Sequence, residues 1–266
     1  CTAAEVGCNT FLLEKGNELG GLASLISKIP AKNRLADFPH YLMHRAEQLD
    51  NLYIFKNTEG TPENIRKFHP NIIVSSTGSA PLLPPIAGLK DRIDNENHNI
   101  YSILGMISHI NDFPKDLEGK KVVVVGGGAV GLDVVEFFAD RNADISIVEM
   151  MDQIGRDLDP VSKNDTKTMM KKHNVHQLTK TALLEVKDSS FLVRGDGEPY
   201  ELPFEYGFVC LGMRAQGQLY QSLTEEFSSE DVEIMNIGDS QRARRIIDGT
   251  QEGRNILTVL EQKGYL

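Results

Sequence analysis

Cysteine is scarce in this sequence, and the three that occur, Cys1, Cys8 and Cys210, form no C-x-x-C pair and no zinc-binding spacing. A redox-active disulfide within the chain and a cysteine-ligated zinc are therefore not expected. Few, unpaired cysteines are typical of a reducing compartment, which predicts a cytoplasmic location. Cys8 and Cys210 lie in apolar runs, so both are predicted to be buried structural thiols.

Positive charge and long apolar runs are also scarce. The 28 Lys and Arg residues against 38 Asp and Glu give a formal net charge of -10, which disfavours nucleic acid and anionic membrane surfaces as partners. No run of about 18 apolar residues is present to span a membrane, and the first residues carry no signal-peptide pattern. Because the first residue is Cys1 rather than Met, we expect a processed N-terminus or further sequence before it.

A strand, a glycine loop, a helix and a second strand follow one another between residues 121 and 149. Residues 121–125 are β-branched and read as a buried strand, residues 132–141 have helical apolar spacing, and residues 145–148 form a strand that ends at Glu149. The loop between the first strand and the helix consists of Gly126, Gly127, Gly128, Ala129, Val130 and Gly131.

Each part of this pattern suits the binding of a dinucleotide. Gly126 permits the tight turn, Gly128 lets backbone N–H groups approach a pyrophosphate, and Gly131 lets the helix pack closely on the strand. The helix N-terminus attracts the phosphates. Glu149, 18 residues after Gly131, would accept hydrogen bonds from ribose hydroxyls and repel a 2′-phosphate, so NADH is favoured over NADPH. Arg156 would weaken that preference, and a glycine-rich turn of another α/β fold is the alternative.

The first half of the chain repeats landmarks of the second half. Strands ending in an acid occur at Glu14 and Glu149, and each acid is followed six residues later by a glycine, Gly20 or Gly155. A later strand runs into Gly78 in the first half and into Gly212 in the second. The two acids are 135 residues apart, as are Gly20 and Gly155, and Gly78 and Gly212 are 134 residues apart. The glycine loop that should precede Glu14 would fall before residue 1, so we expect the first nucleotide-binding fold to lack its initial strand and glycine loop.

Two α/β domains follow from these patterns. The predicted fold class is α/β, with two Rossmann-like dinucleotide-binding domains. The predicted division is an FAD-binding domain over residues 1–92 and 217–266, a linker over 93–118 that carries one helix, and an NAD(H)-binding domain over 119–216. Antiparallel strands are expected between residues 177 and 194, and a short helix is expected to begin at Pro62 with Thr61 as its N-cap.

At this point the residues resemble a known family, the two-dinucleotide-binding flavoprotein reductases. The sequences of these motifs most resemble the C-terminal part of the NADH:flavin oxidoreductases. Those are Old Yellow Enzyme-like multidomain reductases such as 2,4-dienoyl-CoA reductase, 2-enoate reductase and trimethylamine dehydrogenase. The resemblance rests on residues 13–21, 84–88, 119–128, 148–157 and 244–253, together with Thr77-Gly78 and Gly238-Asp239.

The resemblance implies a role for each matching residue. Glu14 would bind the FAD ribose, Gly20 and Gly21 would bring backbone to the FAD, and Thr77 and Gly78 would flank it. Asp239, preceded by Gly238, would bond the ribityl or pyrophosphate region of the flavin. The loop 126–131 and Glu149 would take NADH, with Gly212 close to that nucleotide.

The function implied is electron entry from NADH through FAD. The partner would be an N-terminal barrel of the same protein that carries FMN, a 4Fe-4S cluster and the substrate site; a homo-oligomer is a further possibility. The cofactors carry the hydride chemistry, so no catalytic residue is named, and no metal site is expected because no third ligand accompanies His40 and His44. Two alternatives stay open: a module that holds ADP or NAD without turnover, and an inactive fragment.

Overall fold

The structure is a computed structural model that describes residues 1–266. The strands are β1 (Thr10–Leu13), β2 (Leu52–Phe55), β3 (Ile72–Ser75), β4 (Ser79–Pro81), β5 (Ile100–Tyr101), β6 (Lys121–Val125), β7 (Asp144–Val148), β8 (His176–Leu178), β9 (Ala182–Val186), β10 (Ser190–Arg194), β11 (Tyr200–Pro203), β12 (Tyr206–Val209), β13 (Met213–Ala215) and β14 (Glu233–Asn236). The α-helices are α1 (Thr2–Glu5), α2 (Gly21–Ile26), α3 (Asp37–Ala46), α4 (Pro62–Arg66), α5 (Leu89–Arg92), α6 (Ile103–Ser108), α7 (Ala129–Ala139), α8 (Pro160–Lys172), α9 (Gln218–Glu226), α10 (Ile246–Arg254) and α11 (Ile256–Gln262). Two 3₁₀ turns cover Pro30–Ala36 and Gly238–Ser240.

The chain forms two compact units. The first unit contains residues 1–27, 33–80 and 213–266, and the second contains residues 28–32 and 81–212. The predicted division of the chain between FAD and NAD(H) stays a prediction. No helix in the chain is both long and apolar enough to cross a membrane.

The second unit is built on a five-stranded parallel sheet with the strand order β5-β12-β6-β7-β8. The centre is β6, whose four valines are almost fully buried, as is typical of a parallel strand covered on both faces. Helix α7 packs on this sheet through Val134, Val135 and Phe138, which are 0% exposed. A three-stranded antiparallel sheet, β9-β10-β11, adds Phe191 and Val193 to a cluster of buried residues that includes residues of β6 but none of α7. The antiparallel strands expected between residues 177 and 194 are therefore confirmed.

The first unit contains two pairs of parallel strands that are not hydrogen-bonded to each other. Strand β1 pairs with β2, and β3 pairs with β14. At the interval of the sequence repeat, β1 corresponds to β7 and β3 to β12, and in the second unit β6 lies between those two strands. Ile73 of β3 packs with Leu223 and Phe227 in a small core. The predicted fold class, two Rossmann-like units of which the first has no counterpart of β6 and its loop, is confirmed.

The predictions for helix starts and buried cysteines are only partly correct. Helix α4 begins at Pro62, and the Thr61 hydroxyl accepts a hydrogen bond of 3.2 Å from the Asn64 N–H, as expected for an N-cap. Helix α7 begins at Ala129, three residues earlier than predicted, because the end of the glycine loop is already helical. Cys210 is buried as predicted, whereas Cys8 is only half-buried, since β1 and its neighbourhood are partly open to solvent.

Candidate nucleotide-binding sites

The glycine loop of the second unit follows β6 in a conformation that side chains would obstruct at two of its positions. Gly126 has φ +108°, and a Cβ on it would lie 2.1 Å from the carbonyl oxygen of Cys210. A Cβ on Gly131 would lie 1.9 Å from the carbonyl oxygen of Gly126. Gly128 is different, because nothing lies within 4 Å of its Cβ position. Gly126 and Gly131 therefore serve the packing of strand and helix, and Gly128 leaves an open approach to the backbone.

Helix α7 presents its N-terminus at this open position. Gly128 is its N-cap, and its carbonyl accepts the first helical hydrogen bond, from Leu132, at 3.0 Å. The N–H groups of the first turn have no partner within the helix, and the helix dipole places partial positive charge there. Ala129 and Val130 belong to this first turn, so the arrangement is suited to an anionic group such as a pyrophosphate.

The carboxylate of Glu149 is fixed by two backbone N–H groups. Its Oε2 accepts from Gly127 at 2.6 Å, and its Oε1 accepts from Met151 at 2.7 Å. Since an ionised carboxylate can accept about four hydrogen bonds, two positions stay open to ribose hydroxyls. A hydrogen bond of 2.7 Å from the Gly155 N–H to the Gly127 carbonyl holds the loop after β7 against the glycine loop.

Gly212 lies just beyond the carboxyl end of β12, the strand next to β6. It has φ +104° and open space around its Cβ position, so its backbone is approachable. The glycine loop, Glu149 and Gly212 thus share the carboxyl edge of the sheet, where open α/β sheets bind ligands. Cys210, two residues earlier, is enclosed by the fold, and burial raises the pKa of its thiol to about 12.

In the first unit, Glu14 reproduces one half of the Glu149 arrangement. Its Oε1 accepts a hydrogen bond of 2.6 Å from the N–H of Gly16, two residues further on, as Glu149 does with Met151. The sequence repeat is therefore a repeat of atomic contacts. The other carboxylate oxygen of Glu14 accepts no hydrogen bond within residues 1–266, where the equivalent oxygen of Glu149 accepts from Gly127.

Gly20 and Gly21 both have positive φ values, +105° and +52°, at the start of α2. A Cβ on Gly20 would lie 1.9 Å from the Ser24 hydroxyl, whereas Gly21 is open. Thr77 and Gly78 follow β3: the Thr77 hydroxyl donates to the Gln216 carbonyl, and Gly78 has φ +74° with open space around it.

The turn that contains Gly238 and Asp239 is held by residues that the sequence did not single out for this task. The Ser79 hydroxyl donates to Asp239 Oδ2 at 2.9 Å, and the Arg244 N–H donates to Asp239 Oδ1 at 3.0 Å. The Gly238 N–H donates to Glu252 Oε2 at 2.6 Å. Ser79 carries no motif signal, and Glu252 and Arg244 were noted only as part of the family-like ending.

The residues of the first unit fit part of an FAD molecule. Asp239, Ser79 and Gly78 lie together beyond the carboxyl end of β3, and Glu14 offers a carboxylate at the end of β1. No glycine loop comparable to 126–131 precedes Glu14 within residues 1–266 to contact a pyrophosphate. In the second unit, a second dinucleotide fits the open Gly128 and the Glu149 carboxylate, whose oxygens can each accept a further hydrogen bond. No group of three or more His, Cys, Asp or Glu side chains is placed to hold a metal ion.

The fold is that of the flavoprotein reductases with two dinucleotide-binding units. The chain belongs to the pyridine nucleotide-disulphide oxidoreductase family, which matches residues 42–235. Membership implies binding of FAD and NAD(P)H.

The comparisons also identify longer proteins that this chain resembles. It is 26% identical to an NADH oxidase of Thermoanaerobacter brockii over 95% of the chain and 37% of the relative. It is 25% identical to a metal reductase of Desulforamulus reducens, over 95% of the chain and 40% of the relative. The structure of a 2-naphthoyl-CoA reductase complex with 2-naphthoyl-CoA superposes with a TM-score of 0.80, at 22% identity over 96% of this chain and 36% of that one. The chain thus spans well under half the length of each, and the predicted resemblance to multidomain reductases is confirmed.

Proposed function

We propose that this chain is the electron-entry part of a larger flavoenzyme, in which NADH reduces FAD and electrons pass on to a 4Fe-4S cluster and FMN in a barrel elsewhere in the same protein. The observation that carries the proposal is the pair of acid-ended strands, Glu14 and Glu149, each with its carboxylate fixed by a backbone N–H. Two such sites in one chain suit one donor nucleotide and one flavin nucleotide.

The preference for NADH follows from the fixed Glu149 carboxylate. Two backbone N–H groups donate to this carboxylate at the end of β7, so a 2′-phosphate placed there would meet a like charge. The 26% identity to an NADH oxidase of Thermoanaerobacter brockii supports this preference.

The nicotinamide and the flavin, when bound, supply the hydride chemistry. The residues of the chain would bind and orient the two nucleotides. The first turn of α7 would hold phosphate oxygens, Glu149 and Glu14 would hold ribose hydroxyls, and Asp239 would accept hydrogen bonds from the ribityl hydroxyls of the flavin. None of these residues exchanges a proton in the reaction, so we assign no catalytic acid or base. Gly21, Gly78 and Gly212 contribute open backbone, and Gly20 and Thr77 would lie beside the FAD.

The test is an anaerobic titration of the purified chain with FAD and then with NADH, followed by visible absorption. The expected result is a bound flavin band that NADH bleaches more readily than NADPH does. Glu149→Ala should weaken the response to NADH, while Glu198→Ala, at an exposed turn position of the same unit, should leave it unchanged. A chain that binds NADH but retains no flavin, or a flavin that NADH leaves oxidised, contradicts the proposal and favours a nucleotide-holding module or a fragment.

A further inference from the structure

A closed set of contacts links the Gly238-Asp239 turn to helix α10. Glu252 accepts through Oε2 from the Gly238 N–H at 2.6 Å and through Oε1 from the guanidinium of Arg244. The backbone N–H of Arg244 donates to Asp239 Oδ1 at 3.0 Å. Glu252 therefore connects both ends of the segment that contains Asp239, from Gly238 to Arg244.

The turn also packs closely against the helix that carries Glu252. A Cβ on Gly249 would lie 3.4 Å from the Cα of Gly238, so the two backbones are nearly in contact. Glu252 lies three residues after Gly249 and therefore on the same face of α10, toward the turn. Ser240, 1% exposed, fixes the far side of the turn through hydrogen bonds to Asn236 and Ile237. The Asp239 carboxylate is thus oriented by a rigid backbone.

The two contacts of Glu252 need two acceptor oxygens. Both partners are donors, the Gly238 N–H and the Arg244 guanidinium, and both bonds are strengthened by the negative charge of the carboxylate. A glutamine at this position offers one oxygen and one NH₂ group, so it can satisfy only one of the two donors. The link between Gly238 and Arg244 therefore depends on the carboxylate itself.

We propose that Glu252 is a positioning residue for flavin binding, which acts by holding Gly238 and Arg244 so that the Asp239 carboxylate faces the ribityl hydroxyls. This inference rests on the proposed FAD site of the first unit. Glu252 contacts no part of the flavin, and its whole effect passes through Asp239.

The experiment is a double-mutant cycle on FAD affinity, with Glu252→Gln, Asp239→Asn and the double variant in the full 266-residue chain. Glu252→Gln should weaken FAD binding by about tenfold, as expected when a misoriented Asp239 loses one charge-assisted hydrogen bond to the flavin. In the Asp239→Asn background the same change should have little further effect, because the coupled pair shares one function. Glu261→Gln removes the same charge from an exposed position on the neighbouring helix α11 and is the matched control.

A purely structural role would give a different pattern. It would make the two changes additive, because a loss of stability through Glu252 does not depend on the side chain of Asp239. NADH affinity, measured on the same proteins, should not change. If the parent chain binds FAD and Glu252→Gln binds it equally well, or if the effects add, the positioning role is wrong. If the parent chain binds no FAD, the proposed FAD site itself is wrong, and this inference with it.

Discussion

The carboxylate of Glu149 and the backbone N–H of Gly127 are joined by a hydrogen bond of 2.6 Å. The two residues are 22 positions apart in sequence and belong to two elements of the predicted pattern, the glycine loop and the acid-ended strand. The contact connects the two elements directly, because the acid that would bind the ribose also fixes the loop that would hold the phosphates. A change at either residue should therefore affect more than its own contact with a nucleotide.

Replacement of Glu149 by Gln should weaken NADH binding and reduce the discrimination against NADPH. The amide can still accept from one backbone N–H but turns a donor toward the other, and it no longer repels a 2′-phosphate. The loss of one hydrogen bond to a charged group, about 1.5–3 kcal/mol, corresponds to a roughly 10- to 100-fold weaker NADH affinity. Isothermal titration with both nucleotides measures this. An unchanged NADH to NADPH ratio would show that Glu149 does not face the 2′ position.

Three glycines of the second unit should respond differently to alanine. At Gly131 the added Cβ would lie 1.9 Å from a backbone oxygen, and such overpacking costs about 2 kcal/mol, more than the roughly 1 kcal/mol that alanine gains in helix propensity. Gly131→Ala should therefore lower both stability and NADH affinity. Gly128→Ala, with nothing within 4 Å of the new Cβ, should fold normally and lose only NADH affinity.

The control for this series is Gly197→Ala. Gly197 lies in an exposed turn, has open space around it and has no positive φ, so neither stability nor binding should change. Thermal unfolding and NADH titration of the three variants distinguish the two roles. Equal losses of affinity and stability in Gly128→Ala would contradict the assignment of Gly128 to phosphate binding.

The sequence predicted those parts of the sites that depend on local patterns. The run of valines in β6 and the spacing of Gly126, Gly131 and Glu149 are each sufficient to indicate strand, turn and acid, because each feature is determined within a few residues. The partners of Asp239 could not be predicted in the same way. Ser79 is 160 positions away from it, and only the folded first unit brings its hydroxyl to the carboxylate.

The thiol of Cys210 should be unreactive in the native protein. It is enclosed beside the glycine loop, burial raises its pKa from 9.0 to about 12, and the thiolate is the reactive form. Labelling with iodoacetamide at pH 8 should modify the half-buried Cys1 and Cys8 and spare Cys210 until the protein is unfolded. The raised pKa also means that the unfolded chain loses this proton first, so the contribution to stability is complete below pH 9 and declines as the pH rises toward 12. Labelling of Cys210 at the rate of Cys8 would show that the carboxyl edge of β12 opens in solution.

The edge of β1 that faces away from β2 should exchange its amide protons rapidly. Thr10 and Glu14 donate to Asn51 and Phe55 on the β2 side, and the alternation of a parallel ladder leaves the N–H groups of Phe11 and Leu13 on the other side. Their counterparts in the repeat, Ser146 and Val148 of β7, face β6, which pairs with β7 along its whole length.

Hydrogen exchange at Phe11 and Leu13 should therefore be at least about tenfold faster than at Ser146 and Val148, because opening of β1 requires no separation from a second strand. The comparison is internal to one sample, so differences in pH or temperature do not affect it. Phe11 is 40% exposed and packs on Tyr53 and Phe68, so the open edge is also apolar and is a template for pairing with another strand. If the β1 amides are protected as strongly as the β7 amides, and this protection of β1 is lost on dilution, a second copy of the chain pairs with β1. Equal protection that is independent of concentration would mean that β1 is not an open edge in solution.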